Sequence, residues 1–467
     1  MDYDVLILGA GIVGCAVAYE LSKYNLNIAV IEKGYDVADD IAVANTAIVY
    51  DGSETSNAVM AGLENIGSVL IKEACEKFKI PYKKIGSLRI ATNEEQEIRL
   101  EEMYVEAKNR GILGVKLIDG DDVDQIEPNL KVDIRKALYS KNTAIIAPYD
   151  LSITYAEVAA DNGVNFRLEE EVFNISKITK GFDVTTNKNK FKCRIVINTI
   201  PDEIYVDNNK VKENVIDNVI QKKMNYFLTE DKVKDNPKKI IVNVIDDQTF
   251  VINSPMINGG NMLGVKNTDI LDVDKGAYFG KYIIPDVSKE NITEMIREVY
   301  KKDEMVIDDS ELDNGYIRVT GKHYGKITIA PAIAESIKDS TINIMNATPK
   351  KNFIDKRREF YRFRDLNRDE INEIIKLDKR YGNIVCICNK VSEGEIVDCI
   401  RRPLGARTLE GVKKRTGAGY GNCHGSYCAR KIINILAREM DRRPIDIVRN
   451  SKDSNILEGR IKEFDEV

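Results

Sequence analysis

The chain opens with an apolar run, Tyr3 to Leu8, that meets a glycine-rich turn, Gly9 to Gly14. A stretch of small and apolar residues follows, Ile12 to Lys23, and then a second apolar run, Ile28 to Glu32. Two short continuous runs flanking a segment of helical length predict strand, turn, helix, strand, which is a βαβ unit. Ser87 to Thr92 reads as a strand and is followed by a Glu- and Lys-rich helix over Glu94 to Arg110. From Leu151 to Thr199 the pattern predicts a helix (Tyr155 to Asp161), β-like segments (Glu170 to Ile175, Phe182 to Thr186) and an apolar run, Arg194 to Ile200, that returns to the first sheet. Val219 to Val265 alternates apolar and polar positions between turn clusters such as Asn258-Gly259-Gly260-Asn261, the pattern of an antiparallel sheet on the substrate side. Gly315 to Glu335 predicts a third return to the nucleotide sheet. Lys350 to Asp369 is dense in Lys, Arg and Asp without apolar periodicity, which predicts a solvated linker, or alternatively a docking face for a partner. Gly382 to Met440 then has the makings of an independent small domain.

Length and composition narrow this picture. At 467 residues with 43% hydrophobic content the chain has room for two or three domains. Its 69 basic and 75 acidic residues are interspersed, for a net charge of −6, so no single-sign field favours nucleic acid or a membrane surface. The run Val5 to Leu21 follows Asp2 and Asp4, is broken by glycines and is closed by Lys23, which fits neither a signal peptide nor a membrane span. The expected location is cytoplasmic, free or held at a membrane through a partner. Of eight cysteines, five (Cys386, Cys388, Cys399, Cys423, Cys428) crowd the last fifth of the chain, and in a reducing compartment such crowding points to metal.

Two motifs carry chemistry. In Gly9-Ala10-Gly11-Ile12-Val13-Gly14, Gly9 makes the tight turn, Gly11 admits a pyrophosphate to the backbone, and Gly14 lets helix and strand pack closely. The helix start faces the phosphate charge, and Glu32, 18 positions after Gly14, is placed to accept from ribose hydroxyls, with Lys33 beside it. These features predict a dinucleotide without choosing FAD over NAD. Near the other end, Cys386-Ile387-Cys388 is followed 35 positions later by Cys423-His424-Gly425-Ser426-Tyr427-Cys428. Four thiolates in two close pairs suit a 2Fe-2S cluster or a structural zinc. Between the pairs, Ser392 to Glu395 and Thr408 to Lys413 start two helices, and the turn Thr416 to Gly421 leaves amides able to donate to cluster sulfurs. Cys399 lies within the first helical pattern and reads as core.

Asp4 to Gly34, Gly86-Ser87-Leu88-Arg89-Ile90-Ala91, Glu127-Pro128, Ala137-Leu138 and Gly163-Val164 with Val172 together resemble the FAD-dependent amino-acid-oxidase-like dehydrogenases over about the first 335 residues. Residues 384 to 440, with Pro403 to Thr408 between the cysteine pairs, resemble the domain of bacterioferritin-associated ferredoxins. With both included, the chain is similar to the large subunits of anaerobic glycerol-3-phosphate dehydrogenases, and also to 2-hydroxy-acid dehydrogenases. The resemblance implies an α/β fold with a Rossmann-like FAD-binding domain, an antiparallel-sheet substrate domain and a small α-helical iron-sulfur domain. The implied boundaries are 1–340 (FAD-binding segments 1–50, 140–205 and 310–340, substrate segments 51–139 and 206–309), a linker 341–381, a cluster domain 382–445 and a tail 446–467. It implies FAD held by Gly9, Gly11, Gly14, Glu32, Lys33, Asn45, Thr46, Val172, Gly321 and Thr328, and a 2Fe-2S cluster on Cys386, Cys388, Cys423 and Cys428.

The implied activity is oxidation of a small anionic alcohol, glycerol 3-phosphate ahead of a 2-hydroxy acid or amino acid, with His323 as base or hydrogen-bond donor and Arg318 clamping the anion. Electrons then leave through the cluster to a second flavoprotein or iron-sulfur subunit. Three departures qualify it: Asn45-Thr46-Ala47 and Tyr50 stand where the family has a Ser-rich turn and a histidine, Asn198-Thr199-Ile200-Pro201 lacks a glycine, and Lys326 opens the last helix. They support the alternative of a non-catalytic, electron-relaying subunit.

Overall fold

The structure, a computed structural model, describes residues 1–39, 46–201, 203–206, 209–212, 222–229, 233, 235–246, 249–257, 259–300, 303–421 and 423–459. Asn45 and Asn258 therefore lie outside the described residues.

Five parallel strands form the first sheet, in the order Asn165–Arg167, Ile28–Ile31, Tyr3–Leu8, Lys190–Asn198 and Tyr316–Lys322. Their apolar runs are continuous because both faces are covered. Val5 and Ile7 point into one core with the helices Ile12–Ser22, Pro148–Asp161 and Lys326–Met345, while Leu6 and Leu8 point into another with Val184, Phe182 and Phe191. The hairpin Val172–Ile178 and Gly181–Thr186 pairs antiparallel with the start of Lys190–Asn198, and Glu304–Asp308 closes the far edge against Tyr316–Lys322. The helix expected at Tyr155 begins earlier, at Pro148, since a proline is well placed in a first helical turn.

The second sheet has eight strands in the order Ile292–Tyr300, Lys222–Thr229, Asn261–Asn267, Phe250–Pro255, Ile240–Val244, Ser87–Ala91, Lys136–Ser140 and Val115–Asp119. It is antiparallel except where Ile240–Val244 runs parallel to Ser87–Ala91. Near its end in the chain, a small third unit has a core of its own, including Val385, Ile396, Val412, Ile432 and Leu436. Its helices are Glu393–Arg401, opened by the Ser392/Glu395 capping box, Leu409–Thr416, capped at its start by Thr408, and Ala429–Glu439. Among the described residues no helix is long and apolar enough to cross a membrane.

The charged run from Lys350 is largely exposed, as a linker would be, but three of its arginines are paired. Arg357 reaches Glu157 at 2.9 Å, Arg358 reaches Asp161 at 2.7 Å and Arg362 reaches Asp150 at 2.8 Å, so three arginines are clipped to one helix, Pro148–Asp161. The pairing is most withdrawn from water at Glu157, whose side chain is 2% exposed, and least at Arg358, whose side chain is 58% exposed. Arg402 of the small unit completes that cluster at 2.7 Å from Glu157. A second tie joins Arg415 to Asp36 by two 2.6 Å hydrogen bonds, with both side chains 3% exposed.

Removing one partner of such a pair strands a buried charge, which costs about 3–5 kcal/mol, against about 0–1 kcal/mol for an exposed pair. Arg415→Ala is expected to lower unfolding free energy by the larger amount. Arg443→Ala, whose pair with Asp446 is exposed, is expected to cost the smaller one. Denaturant melts of the two variants check the difference.

Candidate functional site

The glycine turn is built around one close approach. A Cβ on Gly14 would lie 2.0 Å from the Gly9 carbonyl oxygen, and Gly9 sits at φ +90°, so neither position accepts a side chain. Gly11 is the N-cap of the first helix, which has no side-chain cap and no acidic residue in its first turn, a helix end suited to an anion. Glu32 braces the turn from the next strand, accepting from Ala10 N–H at 2.8 Å and Gly34 N–H at 2.7 Å. Val172 is buried at a register shift in its strand, where backbone groups leave the ladder, and Lys33 is exposed. At the chain crossing, Thr199 Oγ1 donates to Leu8 O at 2.8 Å, which draws Thr199 and Ile200 tightly against Gly9.

The other predicted cofactor contacts divide. The hydroxyls of Thr46 and Tyr50 are buried beside each other and make no close hydrogen bond to the rest of the protein. Thr328 is satisfied within the protein: its Oγ1 accepts from Tyr50 N–H at 3.1 Å and donates to Ile48 O at 3.2 Å, tying a strand to the start of the helix Lys326–Met345. Gly321 sits in the strand Tyr316–Lys322 at φ +82°, where a Cβ would lie 2.1 Å from Glu304 O across the strand pair. Lys326 turns aside to Glu298 at 3.2 Å.

A cavity of about 230 Å³ opens beside Tyr50, with Glu54, Arg89, Lys266, Asp303, His323 and Tyr324 among its walls. Of the two predicted reactive residues it holds His323 only. Arg318 is on the strand Tyr316–Lys322, paired with Asp308 at 3.2 Å, and does not line this cavity, whose cations are Arg89 and Lys266. Lys266 is paired with Asp303, and Arg89 lies 4.0 Å from Glu54. The His323 ring stacks on Tyr324 at 4.4 Å, and its Nδ1 accepts from Gly325 N–H at 3.0 Å. That bond puts the ring proton on Nε2, which faces Asp303 Oδ1 at 4.0 Å. Asp303 Oδ1 is itself buried without a hydrogen-bond partner. Burial, only partly opposed by Asp303 and reinforced by Lys266, pushes His323 down to about 4, so the ring is neutral at neutral pH. Asp303, Lys266 and Glu54 carried no signal in the sequence: each sits among ordinary charged or strand positions, and only the second sheet and the Glu304 edge bring them together.

The four predicted cysteines also meet. Cys388 Sγ is 3.6 Å from Cys423 Sγ, and Cys428, pushed up to about 11 by burial and by its neighbour Cys386, sits with Cys386 in the interior. Backbone amides of Tyr427 and Gly425, together with Cys388, hold the Cys423 thiol below its ordinary value, the environment of a thiolate ligand. Among the described residues no three His, Cys, Asp or Glu side chains converge as one ion would require. Two pairs of thiols match a dinuclear cluster, in which each iron takes two thiolates. Cys399 is fully buried away from them, donating to Ile396 O.

Comparison with known proteins matches residues 4–338 to the FAD dependent oxidoreductase model and residues 384–438 to the BFD-like [2Fe-2S] binding domain. A glycerol 3-phosphate dehydrogenase of Caloramator mitchellensis is 33% identical over 98% of this chain and 99% of its own length. An L-2-hydroxyglutarate dehydrogenase of Caenorhabditis briggsae is 37% identical over 31% of this chain and 33% of its own. Among solved structures, the dithionite-reduced L-alpha-glycerophosphate oxidase of Mycoplasma pneumoniae with FAD bound covers 76% of this chain and 98% of its own, with TM-score 0.66 and 22% identity.

A histidine with a depressed folded value contributes stability that is present above its unfolded value near 6.5 and is lost as pH falls towards 4. The wild-type protein is expected to lose up to about 3 kcal/mol more than His323→Gln between those limits, measured by denaturant unfolding.

Proposed function

The chain belongs to the FAD-dependent oxidoreductase family, and on that footing we propose that it is a dehydrogenase of a small anionic alcohol, glycerol 3-phosphate before a 2-hydroxy acid or an amino acid. Its cofactors are FAD and, in the BFD-like domain, a 2Fe-2S cluster. When bound, the flavin supplies a two-electron acceptor for a substrate C–H and the cluster a one-electron outlet. Gly9, Gly11, Gly14 and Glu32 hold the ADP half, Thr46 and Tyr50 lie on the flavin side, and Cys386, Cys388, Cys423 and Cys428 hold the cluster.

The observation that carries this reading is the facing pair of His323 Nε2–H and Asp303 Oδ1, 4.0 Å apart in a cavity that also holds two cations. A substrate hydroxyl between them accepts from Nε2–H through its oxygen and donates its proton to Asp303, which is therefore the base, while His323 steadies the oxygen as it becomes a carbonyl. Arg89 and Lys266 take the phosphate or carboxylate. The name of the 33% identical relative supports glycerol 3-phosphate in particular. Cys388 is exposed, with Ile387 73% and Tyr427 75% exposed beside the cluster cysteines, which supports electron delivery to a partner, a second flavoprotein or an iron-sulfur subunit. The electron-relay alternative rests on Thr199 and Ile200, which crowd Gly9 where the family leaves room.

Glycerol 3-phosphate added without oxygen is expected to bleach the flavin. Arg89→Met should raise KM about tenfold or more with little change in kcat, and Asp303→Asn should lower kcat by about 10²–10⁴. Failure of glycerol 3-phosphate, 2-hydroxy acids and amino acids alike to bleach the flavin selects the relay reading. Iron analysis should find about two atoms per chain, lost with the visible cluster spectrum in Cys388→Ser and Cys423→Ser and kept in Cys399→Ser.

A further inference from the structure

We propose that the exposed end of the four-cysteine site is a docking surface for an acidic one-electron carrier protein, with Lys390, Arg430 and Lys431 as its cationic rim. The proposal rests on the reading that electrons leave through the BFD-like domain. That domain is basic within an acidic chain: residues 384–438 hold ten Lys and Arg against four Asp and Glu, while the whole chain has a net charge of −6.

Seven of those ten cations are already paired. Arg402, Arg407, Lys414 and Arg415 meet acids of the larger body, at Glu157, Glu169, Asp39 and Asp36. Arg401, Lys413 and Arg438 pair within the small unit, with Glu439, Glu410 and Glu393. The three with no ion pair among the described residues are Lys390, Arg430 and Lys431, and all three are exposed.

These three are not scattered. Lys390 follows Cys388 by two residues, and Arg430 and Lys431 follow Cys428 by two and three. The turn that carries Cys388 and the turns from Cys423 to Cys428 meet where Cys388 Sγ lies 3.6 Å from Cys423 Sγ. Each also holds out one large apolar side chain, Ile387 and Tyr427, both mostly exposed, and Cys388 itself is exposed between them.

Apolar groups at the centre of a surface permit close approach, and unpaired charges around them steer a partner of opposite sign. Redox encounters bury little area, below about 1,200 Å², so a rim of this size suffices for one. Clusters that hold a protein to anionic lipid count about four to eight Lys and Arg, more than this rim offers. The matching face is therefore that of a protein rich in Asp and Glu. Each encounter passes one electron outward, oxidising this chain's reduced centre and reducing the carrier's by one, with no bond made or broken.

Electrons loaded without substrate keep the test apart from the choice of substrate. The holoprotein, reduced with dithionite and freed of the excess, is mixed by stopped flow with oxidised flavodoxin, an acidic carrier, or with cytochrome c, a basic one. Reduction of flavodoxin is expected to slow about tenfold or more between about 0.01 M and 1 M salt. Lys390→Glu, Arg430→Glu and Lys431→Glu together should slow it about tenfold or more at low salt and leave the high-salt rate unchanged. Lys431→Glu alone should slow it at low salt, whereas Lys72→Glu, an equal change of net charge at another exposed lysine, should not. Titration calorimetry of flavodoxin into the oxidised holoprotein should follow the same order, with the visible cluster spectrum kept in every variant. Indifference to salt and to charge reversal overturns the proposal, as does a preference for cytochrome c. So does a triple variant that binds flavodoxin as tightly as the wild type but has a shifted reduction potential, since the cations then tune the cluster. Binding to phosphatidylserine vesicles, or a dimer, that the triple variant loses while flavodoxin does not bind assigns the rim to a lipid surface or a second copy and also overturns it. Calorimetry that follows the expected order without electron transfer fails the outlet reading and leaves the docking surface standing.

Discussion

The bidentate contact between Arg415 and Asp36 is the interaction on which the two-part molecule depends. Asp36 follows Glu32 by four residues, in the loop that leaves the nucleotide-binding unit, and Arg415 ends a helix of the cysteine-bearing unit. Both charges are almost fully withdrawn from water, which is tolerable only because each satisfies the other: two short hydrogen bonds join them, and Arg415 also donates to Gly411 O and Leu404 O. An attachment of this kind favours one geometry steeply over its neighbours. The Glu157 cluster, with Arg357 and Arg402, supplies a second point of attachment, so the cysteine-bearing unit has a defined seat on the larger body. With an FAD dependent oxidoreductase domain and a BFD-like [2Fe-2S] binding domain in one chain, that seat fixes the span between the two sites.

Much of this was legible in advance where local rules decide. The run Tyr3 to Leu8, its glycine turn and Ile28 to Glu32 obey βαβ grammar, and Ser392 with Glu395 and Thr408 start helices as their capping chemistry requires. What stayed hidden depended on distant partners. The parallel pairing of Ile240–Val244 with Ser87–Ala91 joins segments about 150 residues apart, and nothing within either strand specifies its neighbour. The partners of the arginines after Lys350 could not be read locally, because their carboxylates sit about 200 residues earlier, on the helix Pro148–Asp161.

The reactive cavity follows the same logic. His323 and Arg318 were both singled out by the resemblance, and of the two His323 lines the cavity while Arg318 pairs with Asp308. Strand residues alternate faces, so an error of one position exchanges a ligand contact for an ion pair. Asp303, Lys266 and Glu54 come from three different segments, and their meeting is a property of the assembled sheet edge alone.

The clip of three arginines onto the helix Pro148–Asp161 also bears on how the molecule is made. Its acidic half leaves the ribosome about 200 residues before its basic half, and domains fold as they emerge. Until then Glu157, Asp150 and Asp161 are uncompensated, so the earlier body matures with a waiting acidic stripe. The basic partners come from the segment ahead of the small unit and, through Arg402, from that unit itself, so the cluster around Glu157 can close only after both have been made.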